Sequence, residues 1–282
     1  MAIVETERDG AILVIRMNRP ERLNALGAEL RAALAQAWCA FRDSRDLEVA
    51  IFTGTGRAFC AGEDMKESLE RGSVPGDSGN APASIAGSAS ARPRLDNPYD
   101  EGTLAKPVIT AINGYAMGGG FQLAERGDLR VAVRGAIFEM SEAKRWLLGG
   151  FAHGLTAAMP HAIATEMAFA YRFSAERLCE LGWLNRLTEP DELIPTAKEM
   201  AAHLMTLPPA SRVNTLAMMH SLRPQPSEEI ERLAAALRGH GALDDLMESR
   251  RAFAEKRAPN FRGWDDPADR DRTPTLDSIR ST

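Results

Sequence analysis

The segment Gly114-Tyr115-Ala116-Met117-Gly118-Gly119-Gly120-Phe121-Gln122 constrains the fold more than any other stretch of this chain. It follows a β-branched run, Pro107 to Ile112, and opens a short helix expected from about Gly119 to Arg126, after which Leu129 to Val133 reads as another strand. Three successive glycines at a strand-to-helix passage let a ligand or another backbone approach closely, and the helix start leaves unpaired N–H groups pointing outward. Taken alone, the same glycines also fit a close packing contact between helix and sheet. In either case strand, helix and strand alternate, the pattern of an α/β core.

The rest of the chain extends that pattern. Ile3 to Glu7 and Ala11 to Met17 are apolar, β-branched runs joined across Asp9-Gly10, a hairpin signal. Leu26, Leu30, Leu34, Ala37 and Phe41 form one apolar stripe of a helix, and Leu47 to Thr53 reads as a buried strand. Beyond Gly154 helical periodicity dominates, over Leu155 to Tyr171, Ala175 to Leu181, Asp191 to Met205, Pro209 to Leu222 and Ser227 to Lys256. This predicts an α/β core over residues 1–200 and a helical region over 201–257. Gly72 to Gly102, dense in Gly, Ser, Pro and Asp, reads as a poorly ordered insertion or a lid. The tail 258–282 carries too few apolar residues to bury a core and reads as disordered.

With 282 residues, 44% of them hydrophobic, the chain can bury a sizeable core. A net charge of −5 without a basic block argues against a non-specific grip on nucleic acid or anionic membrane, so an anionic ligand must be held by local positive charges. Cys39, Cys60 and Cys179 are odd in number and widely spaced, which fits a reduced interior better than disulfides or a zinc site, and no metal site is expected. The acidic N-terminus lacks the features of a signal or transit peptide, so a cytoplasmic location is expected. The uncharged stretches from Pro107 to Ala124 and Trp146 to Thr165 are interrupted by glycines, prolines and histidines and read as buried elements rather than membrane spans.

A second loop, Thr53-Gly54-Thr55-Gly56-Arg57-Ala58-Phe59-Cys60-Ala61-Gly62-Glu63-Asp64, also leaves a strand and turns towards a helix. Position 59 is Phe where a dinucleotide fingerprint needs its third glycine, so a Rossmann site is not indicated. Four separated motifs then occur in order: Asn18-Arg19-Pro20 with Asn24-Ala25-Leu26; Phe59 to Asp64; Lys106-Pro107-Val108 through Gly120; and Phe253-Ala254-Glu255-Lys256-Arg257. In these motifs the chain, over roughly Val4 to Phe261, resembles the enoyl-CoA hydratase/isomerase (crotonase) superfamily.

The resemblance implies an α/β crotonase-like spiral of ββα units, a helical C-terminal trimerisation region, and a homotrimer or a hexamer built from two trimers. It implies an acyl-CoA thioester as substrate, no cofactor beyond its CoA moiety, and two backbone N–H donors for the thioester oxygen, which fall here on Glu63 and Gly119. Such donors need no particular side chain, and each lowers the barrier to enolate formation by about 3–4 kcal/mol. Glu63 is unusual, because the family commonly has a small or apolar residue there; its side chain is expected near the acyl carbonyl, where it is either catalytic or turned outward. Arg22 and Lys66 would lie near the nucleotide or pantetheine path, with Ala61 and Asp64 beside them, while Phe253 and Lys256 would reach CoA, often across a subunit boundary. Cys60 reads as a packed small hydrophobe.

Family hydratases use two glutamates, one after the glycine triplet and one twenty positions later. Here these positions hold Gln122 and Glu142. An amide orients water but exchanges no proton at neutral pH, so a hydratase lacking the first carboxylate should lose roughly 10²–10⁴ in rate. One glutamate suffices to move a double bond, and Glu142 is the expected acid/base, with Glu125 a weaker substitute for the missing carboxylate. Where relatives have a glycine-rich loop, this chain reads Gly149-Gly150-Phe151-Ala152-His153, and His153 is expected to pack. Thioester hydrolysis, decarboxylation, or acyl-CoA binding without turnover are the competing readings.

Overall fold

A computed structural model describes residues 2–70, 95–145, 147–148, 159–242 and 244–280. Their backbone divides into two compact units: the described residues within 1–64, 95–139 and 172–223 form the first, and those within 65–94, 140–171 and 224–282 the second. The expected boundary at residue 200 falls inside a continuous helix, Leu193–Thr206. Segments discontinuous in sequence assemble each unit, which no linear reading of composition can find.

The first unit holds both sheets. In chain order its strands are β1 (Val4–Asp9), β2 (Ile12–Met17), β3 (Val49–Gly54), β4 (Ala58–Cys60), β5 (Val108–Ile112), β6 (Tyr115–Met117), β7 (Leu129–Val133), β8 (Ile137–Glu139), β9 (Arg172–Ser174) and β10 (Arg186–Thr188). One sheet runs β1-β2-β3-β5-β7-β10 and the other β4-β6-β8-β9. β1 and β2 form the antiparallel hairpin expected from Asp9-Gly10, with Asp9 opposite Ile12. The remaining pairings of the larger sheet are parallel. Its strands β3 and β5 are buried at every position, as parallel strands covered on both faces must be. In the smaller sheet β4, β6 and β8 are parallel and β9 returns antiparallel. Each step, β3 to β4, β5 to β6 and β7 to β8, places one strand in each sheet, which is the ββα repeat the resemblance implied.

Helices of this unit are α1 (Ala28–Asp43), α3 (Gly119–Arg126), α5 (Ala175–Glu180), α6 (Leu193–Thr206) and α7 (Pro209–Ser221). α1 starts two residues after Leu26, because Leu26 is occupied in a parallel bridge to Glu63. Its buried face carries Leu30, Leu34, Trp38 and Phe41. Trp38 stacks on Tyr99 with ring centroids 4.3 Å apart and meets Phe52 edge-on at 5.2 Å. Tyr99 is buried and its hydroxyl donates to the Leu123 carbonyl at 2.5 Å. Residues 97–99 are therefore buried and anchor the segment 95–102 to the core; composition could not anticipate one aromatic anchoring a polar segment. The rest of the expected insertion, residues 72–94, lies outside the described residues. α6 packs on β3, β5 and β7, where fully buried Ala197 and Ala201 admit the sheet closely.

The second unit contains α2 (Met65–Glu70), a 3-10 turn at Ala143–Arg145, α4 (His161–Ala168), α8 (Glu228–Arg238), α9 (Asp244–Glu255) and α10 (Leu276–Arg280). The single helix expected over Ser227 to Lys256 is two, interrupted around Gly239 and Gly241, whose φ is +122°. The tail is folded, contrary to its composition. Asp245, 3% exposed, accepts the N–H groups of Arg262 and Gly263 at 2.7 Å each, Ala242 donates to the Gly263 carbonyl, and Arg280 pairs with Glu229 on α8 at 2.9 Å. Charge-assisted bonds hold this segment where apolar area is lacking. No helix among the described residues is long and apolar enough to cross a membrane.

Candidate active site

Two loops of the first unit meet at the start of α3. Asn24 holds one of them: its amide donates to the carbonyls of Thr55 and Ala58 at 3.0 and 2.8 Å and accepts from the Arg19 N–H at 2.8 Å. Asn113 repeats the device, donating to Gly56 and Ala58 while accepting from the Gly54 N–H. Arg19 then ion-pairs with Asp64 at 2.9 Å. These side chains account for the Asn-Arg-Pro and Asn-Ala-Leu motifs, whose positioning role the sequence alone does not disclose.

The loop is read by Leu26 in a parallel ladder. Leu26 donates to the Gly62 carbonyl at 2.7 Å and accepts from the Asp64 N–H at 3.4 Å. In such a bridge the residue between, Glu63, directs its own N–H to the opposite side. Gly119 is the first residue of α3, where helix N–H groups have no partner within the helix and carry the positive end of its dipole. Gly118, with φ +49°, donates to the Glu139 carbonyl at 2.8 Å and accepts from Gln122, so the turn into the helix is held from both sides. A β-carbon on Gly119 would stand 4.0 Å from the Glu63 nitrogen, and one on Gly62 would stand 3.2 Å from the Gly119 nitrogen. The two nitrogens are thus neighbours, and among the described residues neither N–H has an acceptor.

Glycine is required here by contact as well as conformation. Gly62 has φ +84°, and any side chain on it would meet the Met117 carbonyl at 2.6 Å. A side chain on Gly120 would collide with the Cys60 carbonyl. Cys60 is fully buried, and that burial pushes its thiol up to about 12, so it packs as an apolar residue rather than as a nucleophile.

Side chains around the two nitrogens depart from expectation in two places. Glu63 neither enters a pocket alone nor turns freely outward: its Oε2 lies 2.7 Å from Nη2 of Arg31 on α1. Asp64, expected beside a ligand, is 4% exposed and turned inward onto Arg19, with Arg22 at 3.6 Å, because a carboxylate removed from water must be paired. Ala61 is half-buried and spends its N–H on the Leu23 carbonyl. Gln122 and Glu125 lie on α3, both half-buried, and the Glu125 carbonyl accepts from Arg130. Arg31 has no sequence signal, since nothing in the order of residues joins position 31 to position 63.

The second unit carries the remaining candidates. Glu142 is half-buried at the turn that enters Ala143–Arg145, and its carbonyl accepts from the N–H groups of Arg145 and Leu147. The Ser249 hydroxyl of α9 donates to the Lys144 carbonyl at 3.2 Å, and the Arg145 guanidinium lies over the Phe253 ring, 4.5 Å from its centroid. α9 also packs on α2, which bears the exposed Lys66. Lys256, exposed, takes φ +55° just past the end of α9. Lys66, Phe253, Lys256 and the Glu142 turn thus belong to one small body. Gly149 to His153 lie outside the described residues, as does Trp146. Among the described residues no group of three or more acidic, histidine or cysteine side chains is placed to hold a metal ion.

Two mixed sheets advanced by ββα steps and followed by C-terminal helices are the α/β crotonase fold. A structure described as carnitinyl-CoA hydratase from Mycobacterium avium matches over 93% of this chain and 99% of its own, with a TM-score of 0.75 at 24% identity. The sequence profile of the enoyl-CoA hydratase/isomerase family matches residues 7–264, and the chain belongs to that family. A carnitinyl-CoA dehydratase from Salmonella typhi is 36% identical over 265 residues, covering 91% of this chain and 97% of the relative. A probable enoyl-CoA hydratase/isomerase structure from Mycobacterium abscessus is 32% identical, covers 93% and 99% of the two chains, and has a TM-score of 0.64. The protein is a crotonase-family acyl-CoA enzyme.

Proposed function

We propose that the chain adds water to, or removes it from, an acyl-CoA thioester through an enolate, with the N–H groups of Glu63 and Gly119 holding the thioester oxygen and Glu142 as its single proton carrier. The observation that carries this reading is the juxtaposition of those two N–H groups, neither with an acceptor among the described residues. In the eliminating direction the Glu142 carboxylate takes the α-proton, and the C–H electron pair moves into the enolate held by the two donors. The enolate re-forms its carbonyl and expels the β-hydroxyl, which leaves as water with the proton that Glu142 has just acquired. The carboxylate is regenerated, and Gln122 donates a hydrogen bond to the β-oxygen without exchanging a proton.

Gln122 favours a second reading on the same machinery. A base that returns the proton to the γ-carbon of a 3-enoyl thioester shifts the double bond and requires no second carboxylate. In both readings Arg22, Lys66 and Lys256 supply the local positive charge that a chain of net charge −5 must gather for CoA phosphates, and Phe253 offers apolar area to the same ligand. Met218 and Met219 of α7 and Leu222 just past its end are exposed at 61%, 57% and 66%, a surface suited to a trimer or hexamer of the kind the resemblance implies.

Purified protein incubated with 3-hydroxyacyl-, 2-enoyl- and 3-enoyl-CoA of several chain lengths, followed by mass spectrometry and proton NMR, separates the readings. A mass change of one water supports the first, and a shifted double bond at constant mass supports the second. Glu142→Gln should lower either rate by about 10²–10⁴. Gln122→Glu should raise hydration over a comparable range, at most about 10⁴-fold, without raising isomerisation. Full activity in Glu142→Gln would remove the proposed proton carrier.

A further inference from the structure

The carboxylate on Glu63 presents an electrostatic problem for this site. Residue 63 is where a backbone N–H faces the thioester oxygen in the reading proposed above, on which this inference rests. As that oxygen gains negative charge, an uncompensated carboxylate on the same residue opposes it, and a low-dielectric, water-poor site makes the opposition stronger. The carboxylate is compensated. Arg31 reaches from the first turns of α1 and places Nη2 2.7 Å from Glu63 Oε2, both side chains being largely covered at 22% and 32% exposure. α1 is itself anchored to the loop, since Leu26, two residues before its first turn, bridges Glu63 through the backbone.

Arg31 also acts at longer range. Burial raises the Asp100 carboxyl above its ordinary value, and the guanidiniums of Arg126 and Arg31 pull it down while Glu101 adds a smaller push upward. Arg126 Nε stands 3.9 Å from Asp100 Oδ1. Each carboxylate thus has a guanidinium, and Arg31 is the one in direct contact with Glu63.

We infer that Arg31 is a positioning residue for enolate formation: it neutralises Glu63 and fixes the rotamer of the residue whose N–H faces the thioester oxygen. A small apolar residue at position 63 would need no such partner. The pair makes a charged side chain tolerable at the rim of the site and sets a fixed ion pair there, so it also limits which acyl groups fit beside the carbonyl.

The test is a double-mutant cycle on the full-length protein: wild type, Arg31→Ala, Arg31→Lys, Glu63→Gln and Glu63→Gln/Arg31→Ala. Two quantities are read, turnover of the thioesters above and the apparent pKa at which a bound 3-ketoacyl-CoA ionises to its ultraviolet-absorbing enolate. Arg31→Ala should lower kcat about 10–100-fold with KM changed only a few-fold, and raise the bound ligand's enolisation pKa by about 1–2 units. Arg31→Lys should retain most of both properties. The double variant should recover most of what Arg31→Ala loses, because the charge that needed compensation is gone. A loss that Glu63→Gln fails to restore would make Arg31 a fold-supporting residue and overturn the inference, as would an Arg31→Ala enzyme equal to wild type. A wild type that turns over no thioester but shows the enolisation shifts would sink the proposed reaction and leave this inference standing.

Discussion

Gly62 shows how one residue can be fixed twice, by conformation and by contact. Its φ of +84° strains any L side chain, and the Met117 carbonyl occupies the space a β-carbon would need. Gly135 has a similar φ, +75°, with nothing within 4 Å of its would-be β-carbon. Comparing the two separates the effects. Gly135→Ala should cost about 1 kcal/mol from backbone strain, whereas Gly62→Ala should cost about 2–4 kcal/mol, because loop and strand must also move apart. Urea denaturation measures both, and only Gly62→Ala should in addition depress turnover. Equal losses of stability would mean that the close approach of the two loops contributes nothing.

Among the elements, α9 and the segment after it are joined by charge. The Glu248 carboxylate accepts from the Arg257 guanidinium and, at 2.8 Å, from the Asn260 N–H, and these bonds, Arg257 foremost, lower its carboxyl from 4.5 to about 2. A carboxyl held below its unfolded value stabilises the folded state above that value. The contribution is complete above about pH 4.5 and is lost as pH falls through about 2. The denaturant midpoint measured from pH 6 down to pH 2 should therefore fall in the wild type, with this bond contributing a modest share because solvent screens it. Glu248→Gln should start lower and lose less over the same range, and an acid slope identical to wild type would show that this bond does not hold the segment.

At the scale of the whole molecule, burial and assembly are linked. α7 turns Arg212 and Leu216 inward and leaves Met218 and Met219 in solvent, with Leu222 exposed just past its end. Clustered exposed apolar side chains are costly on an isolated chain and are relieved by association. In the trimer or hexamer proposed above, replacing all three residues with Asp should shift sedimentation towards monomer while leaving the circular dichroism of the fold intact. An unchanged sedimentation coefficient would remove this face from the proposed assembly.

Long, strongly periodic elements were legible from residue order alone: the opening hairpin, α1 within two residues of its start, β5, β7, and α3 with both ends as expected. They follow from local rules, a period of two or of about three and a half and a turn signal, that act within a dozen residues. The motifs at Gly62-Glu63 and Gly118-Gly119 were legible as residues, and their role came from the resemblance to the family rather than from any period. The three-residue strands of the smaller sheet were not, because strands so short carry no period and exist only through their neighbours. In the tail, Asp245 and Arg280 hold described residues through partners distant in sequence, which composition does not show. Tyr99 on Trp38, Asp64 on Arg19 and Arg31 on Glu63 are long-range pairs of the same kind. The sequence determined the class of fold and the order along the chain of the glycine turns from which the proposed donors come. Only tertiary structure decided which side chains compensate the charges around them, since an ion pair between residues 31 and 63 depends on distance in space and leaves no pattern in the order of residues.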